Sequence, residues 1–123
     1  MPPLPAEMRV EWKVLPQQAS AVAAAVQSVV NASRRERGCL TCSLATELDD
    51  PVILRVREVW DSEPSLRCNI QSRRFAILAG LLETAIEPPR FEVTVNGRTR
   101  GFDYVDEVSQ EGRAVRSGRR GHR

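Results

Sequence analysis

Val52-Ile-Leu-Arg-Val-Arg-Glu-Val-Trp60, read with the two-residue period of a strand, puts Val52, Leu54, Val56, Glu58 and Trp60 on one face. Ile53, Arg55, Arg57 and Val59 fall on the other. One face is apolar but for a single carboxylate, and the opposite face carries two arginines. A central strand with these faces belongs in a sheet covered by helices on one side only.

Upstream, Asp49-Asp50-Pro51 supplies turn chemistry, and Cys39 to Glu47 alternates Leu40, Cys42 and Leu44 against Thr41, Ser43 and Ala45. The two runs predict a hairpin. Before them, Gln17 to Arg37 places Val22, Val26, Val29 and Val30 on one side of a helix with alanines between, and Gly38 is set to take a left-handed position after it. Earlier still, Val10, Trp12 and Val14 alternate with Arg9, Glu11 and Lys13, which predicts the first strand.

Downstream, Asp61 or Ser62 can cap a short helix with Pro64 in its first turn. Ser72 can cap a second, whose stripe of Phe75, Leu78, Leu82 and Ala85 is stopped by Pro88-Pro89. Phe91, Val93 and Val95 alternate in a last strand, Asn96-Gly97 marks a turn, and Gly101 to Val105 reads as a short strand or arm. The order β-α-β-β-α-β is the split βαβ plan of an α+β, ferredoxin-like antiparallel sheet with helices on one face. Residues 1–7 read as a flexible lead, 8–105 as the domain, and 106–123 as a basic, disordered tail.

On this plan Val10, Trp12, Val14, Leu40, Cys42, Leu44, Leu54, Val56, Trp60, Phe91, Val93 and Val95 all face the helices. The other face is a mixed-charge surface fit to stay wet or to meet the same face of a second copy, with Arg55 and Arg57 paired to acids such as Glu11 or Glu92.

Composition narrows the function. The chain has 123 residues and a formal charge of +2, but five arginines in the last eleven positions account for it, leaving the rest at −3. Nucleic-acid binding would show its basic excess on the domain itself. No apolar run is long enough to span a bilayer, and with three cysteines the reading is a cytoplasmic protein with reduced thiols. Cys39-x-x-Cys42 invites a redox or zinc reading, yet three residues along a regular strand turn the two thiols to opposite faces, and no second pair completes a metal site. No phosphate loop or nucleophilic triad is present, so no metal and no cofactor are expected.

Five stretches in order carry a resemblance: Trp12-Lys-Val-Leu-Pro16, Arg37-Gly-Cys-Leu-Thr-Cys42, Arg57-Glu-Val-Trp-Asp-Ser62, Ser72-Arg-Arg-Phe75 and Glu87-Pro-Pro-Arg-Phe-Glu92. Together they resemble the antibiotic biosynthesis monooxygenase domain over roughly residues 8–96. The resemblance implies a homodimer, a dimeric α+β barrel with a pocket between each sheet and its helices. It also implies oxidation of an electron-rich aromatic substrate, of polyketide or quinol type, by O₂ without flavin or metal.

Trp60, with Glu58 two residues earlier, matches the pocket-lining tryptophan of the Glu-x-Trp motif. Glu58, Trp60 and Asn69 are then the catalytic candidates, and Trp12, Cys42, Arg73 and Phe75 the substrate-binding candidates. Trp12 and Trp60 share a face and could sandwich a flat ring; Asn69 could donate to a substrate oxygen and Arg73 could steady an oxyanion. In the haem-degrading branch an asparagine and a helical histidine complete the site, where Trp12 and Ala79 stand here, and the sole histidine is His122. Two alternatives stay open: a non-catalytic, small-ligand-binding dimer of the same fold, and a haem-binding or haem-degrading protein with a rearranged site.

Overall fold

The computed structural model describes the backbone of residues 3–120 and side chains as far as residue 113. Five strands form one sheet: β1 (Ala6–Val14), β2 (Cys39–Glu47), β3 (Val52–Trp60), β4 (Arg90–Val95) and β5 (Arg98–Arg100), in the order β2-β3-β1-β4-β5 with every pairing antiparallel. Four helices accompany them: α1 (Pro16–Arg34), α2 (Glu63–Ile70), α3 (Arg73–Leu81) and α4 (Phe102–Arg120). This is the ferredoxin-like α+β arrangement that the alternation in β1, β3 and β4 predicts.

The helices form where caps and stripes allow. Pro16 opens α1, where its missing N–H costs nothing, and Val22, Val26, Val29 and Val30 are buried. The hydroxyl of Ser62 accepts the N–H of Ser65 to start α2, and that of Ser72 accepts the N–H of Phe75 to start α3. Gly38 turns the chain from α1 into β2 at φ +90°, and a Cβ there would lie 2.6 Å from Ser65 Oγ.

On the helix side of the sheet Met8, Val10, Trp12, Val14, Leu54, Val56 and Trp60 are each no more than 2% exposed. On the other side the charges pair within the chain. Arg55 meets Glu11 at 2.6 Å and Glu47 at 3.0 Å, Arg57 meets Glu7 at 2.7 Å, and Arg9 meets Glu92 at 3.4 Å. Arg57 thus takes Glu7, directly beside Arg9 on β1, in place of Glu11 or Glu92.

Three expectations are corrected. Leu40 is 55% exposed and does not face the helices, because a bulge between Cys39 and Thr41 leaves it as the extra residue. The same bulge sets Cys39 opposite Trp60 and Cys42 opposite Glu58, so both thiols lie on the helix side and not on opposite faces. Third, the stretch from Gly101 is no strand or arm, and residues 106–120 are not disordered. β5 ends at Arg100, and α4 runs from Phe102 to Arg120. Tyr104 and Val108, four apart on one helical face, are both buried, which holds that helix down. His122 and Arg123, read as part of the tail, lie outside the described residues, as do Met1 and Pro2 of the expected flexible lead.

Candidate functional site

Alternation in β3 carries Glu58 onto the apolar side, where it is 1% exposed. Its strand neighbours there are Cys42 on β2 and Met8 on β1. A carboxyl group in such a place needs donors, since an unpartnered one is very costly to bury. Two arrive on the same oxygen: the indole Nε1 of Trp60 donates to Oε1 at 2.9 Å, and the amide Nδ2 of Asn69 donates to it at 2.9 Å.

Asn69 reaches the sheet because α2 ends there. The hydroxyl and backbone N–H of Ser72 both donate to its carbonyl oxygen, tying the end of α2 to the start of α3. Arg74, in the first turn of α3, donates from Nη2 to Asn69 Oδ1 at 3.3 Å and from Nη1 to Glu36 at 3.0 Å. A hydrogen-bonded line therefore runs from exposed Glu36 through Arg74 and Asn69 to buried Glu58 and Trp60. Among the described residues buried Arg74 Nε has no hydrogen-bond partner.

Burial is the main influence on Glu58 and raises its pKa, opposed by hydrogen bonds from Trp60 and Cys42 and by the charge of Arg74. Burial likewise pushes the Cys42 thiol up to about 12, with the negative charge of Glu58 adding to it. Cys39 rises for the same two reasons, burial first. Neither thiol is poised as a nucleophile. Among the described residues no group of three or more His, Cys, Asp or Glu is placed to hold a metal ion.

The structure brings together four of the sequence candidates, Glu58, Trp60, Asn69 and Cys42, and leaves three outside. Trp12 shares the helix side but stands six residues from Ala6, the β1 partner of Trp60. That spacing is roughly 20 Å along a strand. The two indoles cannot sandwich one ring, and Trp12 Nε1 donates instead to Thr84 Oγ1 at 3.3 Å. Arg73 is exposed, and it is its neighbour Arg74 that reaches Asn69. Phe75 is buried against Phe91, with ring centroids 6.4 Å apart, and serves as core.

Two residues here escaped the sequence reading. Arg74 gives no sequence sign that sets it apart from Arg73. Tyr104 does, because its spacing from Val108 marks a helix face; it is 2% exposed on α4 and donates its hydroxyl to Glu63 at 2.8 Å.

The profile of the family described as antibiotic biosynthesis monooxygenase matches residues 6–75, from the start of β1 into α3. The chain belongs to that family. Among solved structures, a conserved protein of Methanosarcina mazei Go1 is 25% identical with a TM-score of 0.66, over 75% of this chain and 92% of its own. A structure described as an antibiotic biosynthesis monooxygenase is 16% identical with a TM-score of 0.64, over 72% and 95%. A Pseudomonas aeruginosa protein is 19% identical with a TM-score of 0.65, over 78% and 97%. The latter two likenesses speak for the fold alone. A search of curated proteins found no match. Among the described residues no helix is long and apolar enough to cross a membrane.

Proposed function

We propose that the protein is a cofactor-independent monooxygenase that oxidises an electron-rich aromatic compound, of polyketide or quinol type, with O₂, and that it works as a homodimer. The observation that carries this reading is the Glu58 carboxyl buried on the helix side with Trp60 and Asn69 on one oxygen, in a chain of this family. Such a reaction converts a ring CH₂ and O₂ into a ring C=O and water, with the substrate supplying the electrons once it has lost a proton. The protein need supply a dry site, a base and donors for the oxyanion.

Glu58 is the base in this scheme, because burial raises its proton affinity above that of an ordinary carboxylate. Asn69 is the oxyanion donor, and Trp60 the aromatic wall. Dimerisation through the charged side of the sheet is supported by the family and by the surface itself. A hollow of about 490 Å³ on that side is lined by Arg9, Glu11, Arg55, Arg57, Arg90 and Glu92 among others.

A second reading, a non-catalytic small-ligand-binding dimer of the same fold, is favoured by one observation: Glu58 and Trp60 are each 1% exposed, so no substrate reaches the proposed base in this conformation and a ligand would have to bind elsewhere. Oxygen uptake with a panel of hydroquinones and anthrones separates the two. Uptake that disappears in Glu58→Gln supports the oxygenase; uptake that persists removes Glu58 from the role of base. No uptake with any of them favours the second reading, and a Soret change on hemin titration points to haem in place of both.

A further inference from the structure

Glu58 and Trp60 are each 1% exposed, so any molecule that is to meet Glu58 must first displace part of its cover. The helix that touches Glu58 is α2, which sets Asn69 Nδ2 on its Oε1 at 2.9 Å. This helix is lightly held to the sheet. α1 buries four valines and Ala19 along its 19 residues, whereas the eight residues of α2 bury two apolar side chains, Leu66 and Ile70, beside Asn69. A segment with so little buried apolar area opens locally at low free energy.

α4 runs alongside α2 and grips it. The Tyr104 hydroxyl donates to Glu63 at 2.8 Å, Gln71 Nε2 donates to the Val108 carbonyl at 3.1 Å, and Arg67 pairs with Glu111. Glu63, Arg67 and Gln71, spaced four apart, form one stripe of α2. Gly112 lets the helices come close, since a Cβ there would lie 3.1 Å from Gln71 Nε2. Beyond its ties to the adjoining Arg100, every polar contact that α4 makes with another element among the described residues goes to α2. Its start is anchored apart from these ties, because Phe102 stacks on Phe91 of β4 with ring centroids 4.5 Å apart.

We propose that α2 is the movable cover of the Glu58 site and that α4, anchored on β4, is the strap that holds it shut. Release of the Tyr104–Glu63 and Glu111–Arg67 ties lets α2 rise and takes Asn69 off Glu58. That this motion admits substrate rests on the reading of Glu58 as the base. Asn69 leaves and returns with the cover, so the donor assigned to the oxyanion is in place only when the site has closed again.

Cys42, 3% exposed and paired directly with Glu58 in the sheet, is a built-in reporter of opening. In a Cys39→Ala/Cys68→Ser background it is the one thiol left, and its rate of alkylation by excess iodoacetamide reads how often the cover lifts. Adding Tyr104→Phe and Glu111→Gln is expected to raise that rate about tenfold, the loss of two ties. Glu47→Gln, which removes a pair with Arg55 on the opposite side of the sheet, should leave it unchanged. Hydrogen exchange separates local release from general loosening: α2 amides should exchange faster in the Tyr104→Phe/Glu111→Gln protein while those of α1 and β3 keep their rates. An unchanged alkylation rate, an equal rise in Glu47→Gln, or α1 and β3 amides accelerated as much as those of α2 would each overturn the strap. Neither readout needs turnover. Faster alkylation without O₂ uptake upholds the strap and removes the oxygenase reading, whereas O₂ uptake with unchanged alkylation does the reverse.

Discussion

Arg74 fixes which end of the Asn69 amide faces the sheet: by donating to Oδ1 it leaves Nδ2 turned to Glu58. The two ends of one amide are thus assigned opposite tasks. Asn69→Asp removes the donor and sets a second carboxyl group against a buried one, at an expected cost of about 3 kcal/mol. Arg74→Met removes the donors to Asn69 Oδ1 and to exposed Glu36 but leaves the Asn69–Glu58 bond, for about 1 kcal/mol. Urea unfolding of the two variants checks the order, and an Arg74→Met loss as large as that of Asn69→Asp would show that the amide is not the critical link.

The upward shift of Glu58 makes stability depend on pH in a defined sense. Its folded-state pKa exceeds that of the unfolded chain, so the native state holds the proton more tightly, and this contribution is fully present below the unfolded carboxyl value of about 4.3. It is lost as pH rises through the folded value. Glu58→Gln keeps an oxygen acceptor for Trp60 and Asn69 but has no proton to lose. Its unfolding free energy should therefore gain on the wild type as pH rises from that lower value toward neutrality. Parallel curves for the two proteins across that range would show that Glu58 does not titrate out of step with the unfolded chain.

At Gly38 two demands coincide. The backbone is left-handed at φ +90°, and an added Cβ would meet Ser65 Oγ at 2.6 Å, where Ser65 is itself bonded to Asp61 at 2.6 Å. Gly38→Ala should cost about 2 kcal/mol, read as a lowered thermal midpoint. Gly80→Ala is the control: nothing lies within 4 Å of a Cβ there, and a residue inside α3 should gain helix propensity. A Gly38→Ala variant as stable as the wild type would mean that the turn relaxes.

If the outer side of the sheet joins two copies, Arg57→Glu should break that contact while sparing the fold. The change puts two acids together, since Glu7 is the 2.7 Å partner of Arg57. Sedimentation velocity is expected to give a dimer for the wild type and a monomer for Arg57→Glu with an unchanged circular dichroism spectrum. A wild-type monomer would remove the dimer proposal.

What could be seen in the residues, and what could not, follows from how far each interaction reaches. Alternation in β1, β3 and β4 is local and repeated, so the buried side of each is legible, and with it the position of Glu58 beside Trp60. The bulge at Leu40 is a single extra residue that leaves the composition of β2 unaltered, and it reversed the expected relation of Cys39 to Cys42. Trp12 and Trp60 were correctly put on one side, but face membership says nothing about separation along the strand. α4 was misread because the terminal arginines dominated the local composition, although Tyr104, Val108 and the acids Asp103, Glu107 and Glu111 already gave its first turns an apolar stripe and partners for Arg67 and Arg100. The choice of Arg74 over Arg73 depends on how α2 and α3 meet, which no spacing within either helix records.

The outer ion pairs have an implication for assembly. Arg9, Arg55 and Arg57 already pair with Glu7, Glu11, Glu47 and Glu92 inside one chain, three cations against four anions, so a twin would present a mosaic close to balance before contact. Dissolved electrolyte would then have little attraction to weaken, and the fit of one surface to the other, rather than opposite polarity, would decide whether two copies hold together.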